Sequence, residues 1–167
     1  MQVVLKQLDR VLSMVLIILM AAIVIDVSWQ VLSRFIIGKP SSVTEEIARF
    51  LLVWIGLLGS AWAFRTHSHL GLDIFTNKLS FDKKLRADIL SQILSFIFAA
   101  WVMVYGGAQL VLLQLELGQT SAALQVKMGY IYSVLPLAGL LICIYAVDNI
   151  FTARARMQAS TGTKSID

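Results

Sequence analysis

Few residues in this sequence could take part in chemistry, and their spacing limits what that chemistry is. Glu45, Glu46 and Arg49 stand together after the turn-forming stretch Gly38-Lys39-Pro40-Ser41-Ser42. Ser42-x-x-Glu45 has the spacing of a capping box, and carboxylates in a first helical turn meet the positive end of the helix dipole. Glu45 and Arg49 are four apart, so they share a helix face and can pair. This cluster is read as a capped helix end or as a charged docking surface for another subunit, and the two are compatible. Asp26 is the only acid well inside a long apolar run. An acid in such a place is costly and usually faces protein or water. Asp26 is expected to pair with Arg49 rather than to relay protons, because no chain of acids continues from it.

The remaining candidates offer less. His67 and His69 are two apart, share no helix face and have no acidic or cysteine cluster beside them, so no metal site is expected. Both histidines fall in a loop, which removes bis-histidine haem between helices. The single cysteine, Cys143, lies in an apolar run and can form neither an internal disulfide nor a dithiol pair. Phosphate-binding glycine loops, HExxH and nucleophile elbows are missing from the sequence. Neither catalysis nor a cofactor is expected.

The elements that position these residues follow from composition. Of 167 residues 58% are hydrophobic and 14% charged, with mean hydropathy +0.79. A soluble domain is about half apolar and a quarter charged, so the excess must face a lipid bilayer. The only charge between Arg10 and Arg34 is Asp26, and none lies in 50–64, 89–115 or 128–147. A hydrocarbon core of ~30 Å needs about 20 helical residues. The pattern predicts an all-α, single-domain membrane protein with four transmembrane helices near 10–33, 43–65, 83–116 and 128–151. A tail is expected over 152–167. The first apolar run continues past Ile25 through Val27, Trp29 and Val31 with no small-residue cleavage site after it, so a retained helix is expected rather than a signal peptide.

Four spans put both termini on one side. Ten basic residues fall in the N-terminal segment, the middle loop and the tail, against three on the opposite side, Arg34, Lys39 and Lys127. The excess of Lys and Arg marks the cytoplasmic side, so both termini are expected there. The net charge of +4 resides at the ends of apolar runs rather than in a nucleic-acid-binding patch. Gly56, Ser60 and Ala63, with Gly59 alongside, place small side chains on one flank of the second helix, which permits close helix approach. Pro136 removes a backbone donor and predicts a bend in the fourth helix. In the middle loop Leu72, Phe75 and Leu79 recur at helical spacing opposite Asp73, Thr76, Asn77 and Ser80. That pattern predicts a short amphipathic helix near 70–80 on the cytoplasmic membrane surface.

Thr44-Glu45-Glu46-Ile47-Ala48-Arg49-Phe50-Leu51-Leu52-Val53-Trp54-Ile55-Gly56-Leu57-Leu58-Gly59-Ser60-Ala61, followed by Arg65 and His69-x-x-x-Asp73, resembles the signature of the DctQ-like small membrane subunits of tripartite ATP-independent periplasmic (TRAP) transporters. Trp29-Gln30-Val31-Leu32-Ser33-Arg34 and the stretch from Gly118 to Pro136 fit the same family, and Val126-Lys127 stands where an Ile-Pro pair is common. The resemblance implies four helices with both termini inside. It also implies a large membrane subunit that holds the substrate and sodium sites and moves as an elevator, and a periplasmic substrate-binding protein that delivers an organic acid. A C4-dicarboxylate, sialic acid or another sugar acid would be the cargo. On this resemblance the chain is a non-catalytic scaffold in the bacterial inner membrane. A small anchor or assembly subunit of an unrelated membrane complex is the alternative. An independent transporter is disfavoured, since only Asp26 and Arg49 lie near the membrane interior.

Overall fold

The computed structural model describes residues 2–36, 38, 41–66 and 81–163. Helices α1 (Gln2–Ile36), α2 (Ser42–Arg65) and α3 (Phe81–Phe98) come first. From α3 the chain passes through a π-helical stretch, Ala99–Gly106, into α4 (Gly107–Glu116), and α5 (Met128–Tyr132) and α6 (Val134–Thr163) complete it. Four helical stretches are long and apolar enough to cross a membrane: Leu5–Ile36, Ser42–Arg65, Ile89–Glu116 and Met128–Ala153. In hydrocarbon a helix is the spanning form open to such segments, because it satisfies its backbone groups within itself. The serines in these spans do the same with their hydroxyls: Ser28 donates to the Val24 carbonyl and Ser60 to the Leu57 carbonyl.

Two expectations need correction. The N-cap of α2 is Ser41, which makes no side-chain cap bond, and Ser42 already lies in the helix, so the capping box does not form. The first-turn bond is made by the backbone instead, Glu45 N–H to the Ser41 carbonyl at 3.3 Å. Residues 152–163 continue α6 as helix rather than forming a tail. The amphipathic segment near 70–80 lies outside the described residues, as do His67, His69 and Asp73.

The helices stand in an open row. α2 packs between α1 and α6, and the third span packs on the other side of α6. The order across the molecule is first, second, fourth, third. Leu12, Leu58, Ala61, Phe64, Ala99, Met103, Val134, Ala138, Ile142 and Ala146 belong to one thin hydrophobic cluster that runs through the row. Large apolar side chains face outward on every span, Ile17 at 69% exposure and Trp101 at 72% among them.

Among the described glycines, those with no room for a Cβ lie between the third and fourth spans. A Cβ on Gly139 would stand 2.7 Å from the Met103 Cβ and 3.1 Å from the Val104 nitrogen. One on Gly107 would stand 3.0 Å from the Pro136 ring, and one on Gly129 2.6 Å from Leu115 Cγ. The π-helical stretch is the part that enters this groove. Its Gly107 N–H reaches the Val102 carbonyl, five residues back, so the backbone there is wider than an α-helix. The fourth span is interrupted at Ser133, and the freed stretch is tied down from outside: Trp54 Nε1 donates to the Ile131 carbonyl at 3.1 Å.

Candidate functional site

Beyond the Trp54–Ile131 bond, charged side chains join the elements at the two ends of α2. Near its first turn, Glu46 turns inward. Its carboxylate accepts three successive backbone N–H groups, from Ala122 at 3.1 Å, Ala123 at 2.8 Å and Leu124 at 2.9 Å. Such a run of N–H groups forms a small anion-binding concavity, and a carboxylate filling it makes charge-assisted bonds. The loop so held, between α4 and α5, is itself folded. Gly118 ends α4 with φ +62, a conformation that suits glycine. Thr120 and Lys127 form an antiparallel bridge, and the Ser121 N–H reaches the Val126 carbonyl at 2.8 Å.

Glu45, the neighbouring acid, faces outward. It meets Arg49 at 3.7 Å, with both side chains about two-thirds exposed. An exposed pair at that distance contributes little. The sequence treats the two acids alike and the structure separates them. We expect Glu46→Gln to speed amide hydrogen exchange at Ala122, Ala123 and Leu124 with α2 unchanged below its first turn. Glu45→Gln should leave all of these rates as they are, and equal effects from the two substitutions would remove the latch.

The other end of α2 carries Arg65. Its Nε donates to Asp9 Oδ2 at 3.2 Å and its Nη1 to Asp148 Oδ2 at 2.9 Å, joining α1, α2 and α6. The three side chains are 18–24% exposed. The guanidinium also lies over the ring of the buried Tyr145, 5.4 Å from its centroid, within cation–π range. Glu46 and Arg65 are nineteen residues apart on one helix, about 28 Å at ~1.5 Å per residue. That matches a hydrocarbon thickness of ~30 Å. The two polar anchors therefore sit where each membrane boundary would fall.

Between the anchors, α2 presents an open stripe. Glu45, Arg49, Gly56 and Ser60 are exposed, and Gly59 and Ala63 are half-buried at its margin. A Cβ built on Gly56 or Gly59 would meet nothing within 4 Å. Among the described residues Gly56 and Gly59 thus make no close helix contact. The close contacts are made by Gly107, Gly129 and Gly139 instead. Asp26 and Arg49 do not meet. Arg49 reaches Glu45, and no hydrogen bond or ion pair among the described residues reaches Asp26, whose Oδ2 is enclosed. Asp9 and Asp148 were not singled out in the sequence. Their signal was present, as acids set among the basic residues that end the first and fourth apolar runs.

Comparison with known proteins adds to this geometry. Residues 23–156 match the model of the DctQ component of tripartite ATP-independent periplasmic transporters. The chain is 28% identical over 151 residues to the sialic acid TRAP transporter small permease protein SiaQ of Vibrio cholerae, covering 87% of this chain and 83% of that protein. It is 28% identical over 99 residues to the C4-dicarboxylate TRAP transporter small permease protein DctQ of Rhodobacter capsulatus, covering 59% and 43% of the two chains. It is 32% identical over 128 residues to the isethionate TRAP transporter permease protein DctMQ of Oleidesulfovibrio alaskensis, covering 71% of this chain and 20% of that protein. With four apolar spans and a family match over most of its length, the chain belongs to the DctQ family, the small permease component of TRAP transporters.

Proposed function

We propose that this chain is the stationary, non-catalytic small subunit of a secondary TRAP transporter in the bacterial inner membrane. It stands beside a large membrane subunit that carries the substrate. The observation that carries this reading is the open row of helices. Among the described residues each span packs on one or two neighbours, and the large apolar side chains left exposed offer wide faces to another membrane protein. The relatives named for sialic acid, C4-dicarboxylate and isethionate support a small organic acid as the transporter's substrate. The isethionate permease, of which the similar segment is a fifth, supports a larger permease part working next to such a segment. Sodium coupling and delivery by a periplasmic substrate-binding protein follow from the family resemblance.

The stripe on α2 is the docking face in this reading, with Glu45 and Arg49 at its outer end and Gly56, Gly59, Ser60 and Ala63 along it. Small side chains let another helix approach closely, and no described atom lies within 4 Å of a Cβ built on Gly56 or Gly59. Gly59→Leu tests this. Within the chain it meets open space and raises helix propensity, so thermal stability of the isolated chain should hold. The amount of large subunit that copurifies should fall severalfold. Undiminished copurification would place the docking face elsewhere.

Both termini lie in the cytoplasm in this account, from the ten-to-three distribution of Lys and Arg. With Cys143 replaced, single cysteines at Ser41 and Ser80 should label differently with an impermeant thiol reagent in intact spheroplasts, Ser41 reacting and Ser80 not. The reverse pattern would invert the topology.

A further inference from the structure

The loop between α4 and α5 that receives Glu46 is closed by bonds in which that side chain takes no part. The Ser121 N–H donates to the Val126 carbonyl at 2.8 Å, Gln125 N–H to the Ser121 carbonyl at 3.2 Å and Met128 N–H to the Gln119 carbonyl at 2.9 Å. Within this frame the N–H groups of Ala122, Ala123 and Leu124 stand side by side and point at one carboxylate. Backbone N–H groups so arranged form an anion-binding concavity whatever the source of the anion. A fourth donor adjoins them. Ser121 is 3% exposed, its hydroxyl has no hydrogen-bond partner among the described residues, and it lies beside the same carboxylate. The cradle is also reachable from outside, since Ala122 is exposed and Glu46 only half-buried.

We propose that this loop is a carboxylate-binding site in its own right, that Glu46 is its tethered occupant, and that a small free carboxylate binds there once Glu46 is removed. The chemistry of the ligand is set by how the donors are shared. Oε1 takes the Ala122 N–H, and Oε2 takes those of Ala123 and Leu124. The site thus uses two oxygens of one planar group, which a halide cannot supply, and charge strengthens each bond. In the unaltered chain the tether holds Glu46 at an effective concentration on the order of millimolar or higher. Free acids below that level do not displace it. Glu46 therefore keeps the loop closed to the organic acids the transporter carries, a role that rests on the proposed function.

The test follows amide hydrogen exchange in the full-length chain, with sodium acetate compared with sodium chloride at equal ionic strength. Glu46→Ala removes a methylene and its carboxylate, and acetate returns a group of that size. In chloride, Ala122, Ala123 and Leu124 should exchange faster in Glu46→Ala than in the unaltered chain, while Ser121, Gln125 and Met128 keep their protection. Acetate at about twice its dissociation constant should then slow the three amides about threefold, because the unoccupied fraction falls to about a third. The slowing should saturate. It should be absent from the unaltered chain and from Glu46→Gln, whose side chain still fills the space. Loss of protection at Ser121, Gln125 and Met128 in Glu46→Ala would show that the cradle needs Glu46 in order to form, and would overturn the proposal. So would rates in Glu46→Ala that acetate leaves unchanged, or an equal slowing in Glu46→Gln. No transport enters the measurement, so its failure would leave the proposed function standing.

Discussion

Replacing Gly139 by alanine is expected to destabilise the chain, although the same change at Gly59 is expected to stabilise it. Alanine is favoured over glycine in a helix interior by about 1 kcal/mol, and at Gly59 no neighbour opposes it. At Gly139 the added methyl would stand 2.7 Å from the Met103 Cβ and 3.0 Å from Val104 Cγ2. Neither atom is the free end of a flexible side chain, so the π-helical stretch itself must move. Overpacking of this kind costs about 1–3 kcal/mol, which outweighs the propensity gain. Leucine at the same position should prevent the third and fourth spans from seating at all. Thermal unfolding in detergent of Gly139→Ala and Gly59→Ala, measured side by side, checks this. A higher midpoint for both would mean that the third span gives way freely.

Arg65→Ala should have the larger effect. It removes the guanidinium that joins three helices and leaves Asp9 and Asp148 facing each other across the space. Breaking a buried pair by removing one partner costs about 3–5 kcal/mol. With the side chains here 18–24% exposed, partial solvation brings the expected loss to about 2–4 kcal/mol. Arg65→Lys should recover part of it, since a single ammonium cannot reproduce the two-armed contact to carboxylates on different helices. Arg65→Ala combined with Asp9→Asn should also recover part, by removing one of the opposed charges. Denaturation midpoints of the three variants give the ranking. No loss in Arg65→Ala would mean that the cluster is solvated and contributes nothing to helix association.

Hydropathy made four spans legible because the membrane filters for apolar runs, and α2 begins within one residue of its expected start. Helix ends were less legible. Hydropathy marks where the chain leaves lipid, whereas α1 and α6 continue as helices beyond it. The missing N–H of Pro136 is a local fact, and the fourth span is interrupted three residues before it, at Ser133. The π-helical stretch had no such sign, since Ala99–Gly106 is apolar all round and it meets Gly139 on another span. Glu45 and Glu46 show the same limit. The loop that takes up Glu46 is some 76 residues away, so spacing alone could not tell which acid turns inward. The small residues of α2 stood out by spacing, yet which glycines are used within a chain depends on the helix opposite. The structure uses Gly107, Gly129 and Gly139 and leaves Gly56 and Gly59 open.

The central claim is that this chain supports transport without carrying substrate, and reconstitution tests it most directly. Proteoliposomes containing the chain alone, the large membrane subunit alone, or both would be given the periplasmic binding protein, an inward sodium gradient and radiolabelled sialic acid, with a C4-dicarboxylate in a parallel series. Uptake of one of these acids is expected from the two subunits together, and none above empty vesicles from the chain alone, because in the proposed arrangement the large subunit carries the substrate. Uptake by the chain alone would contradict the claim.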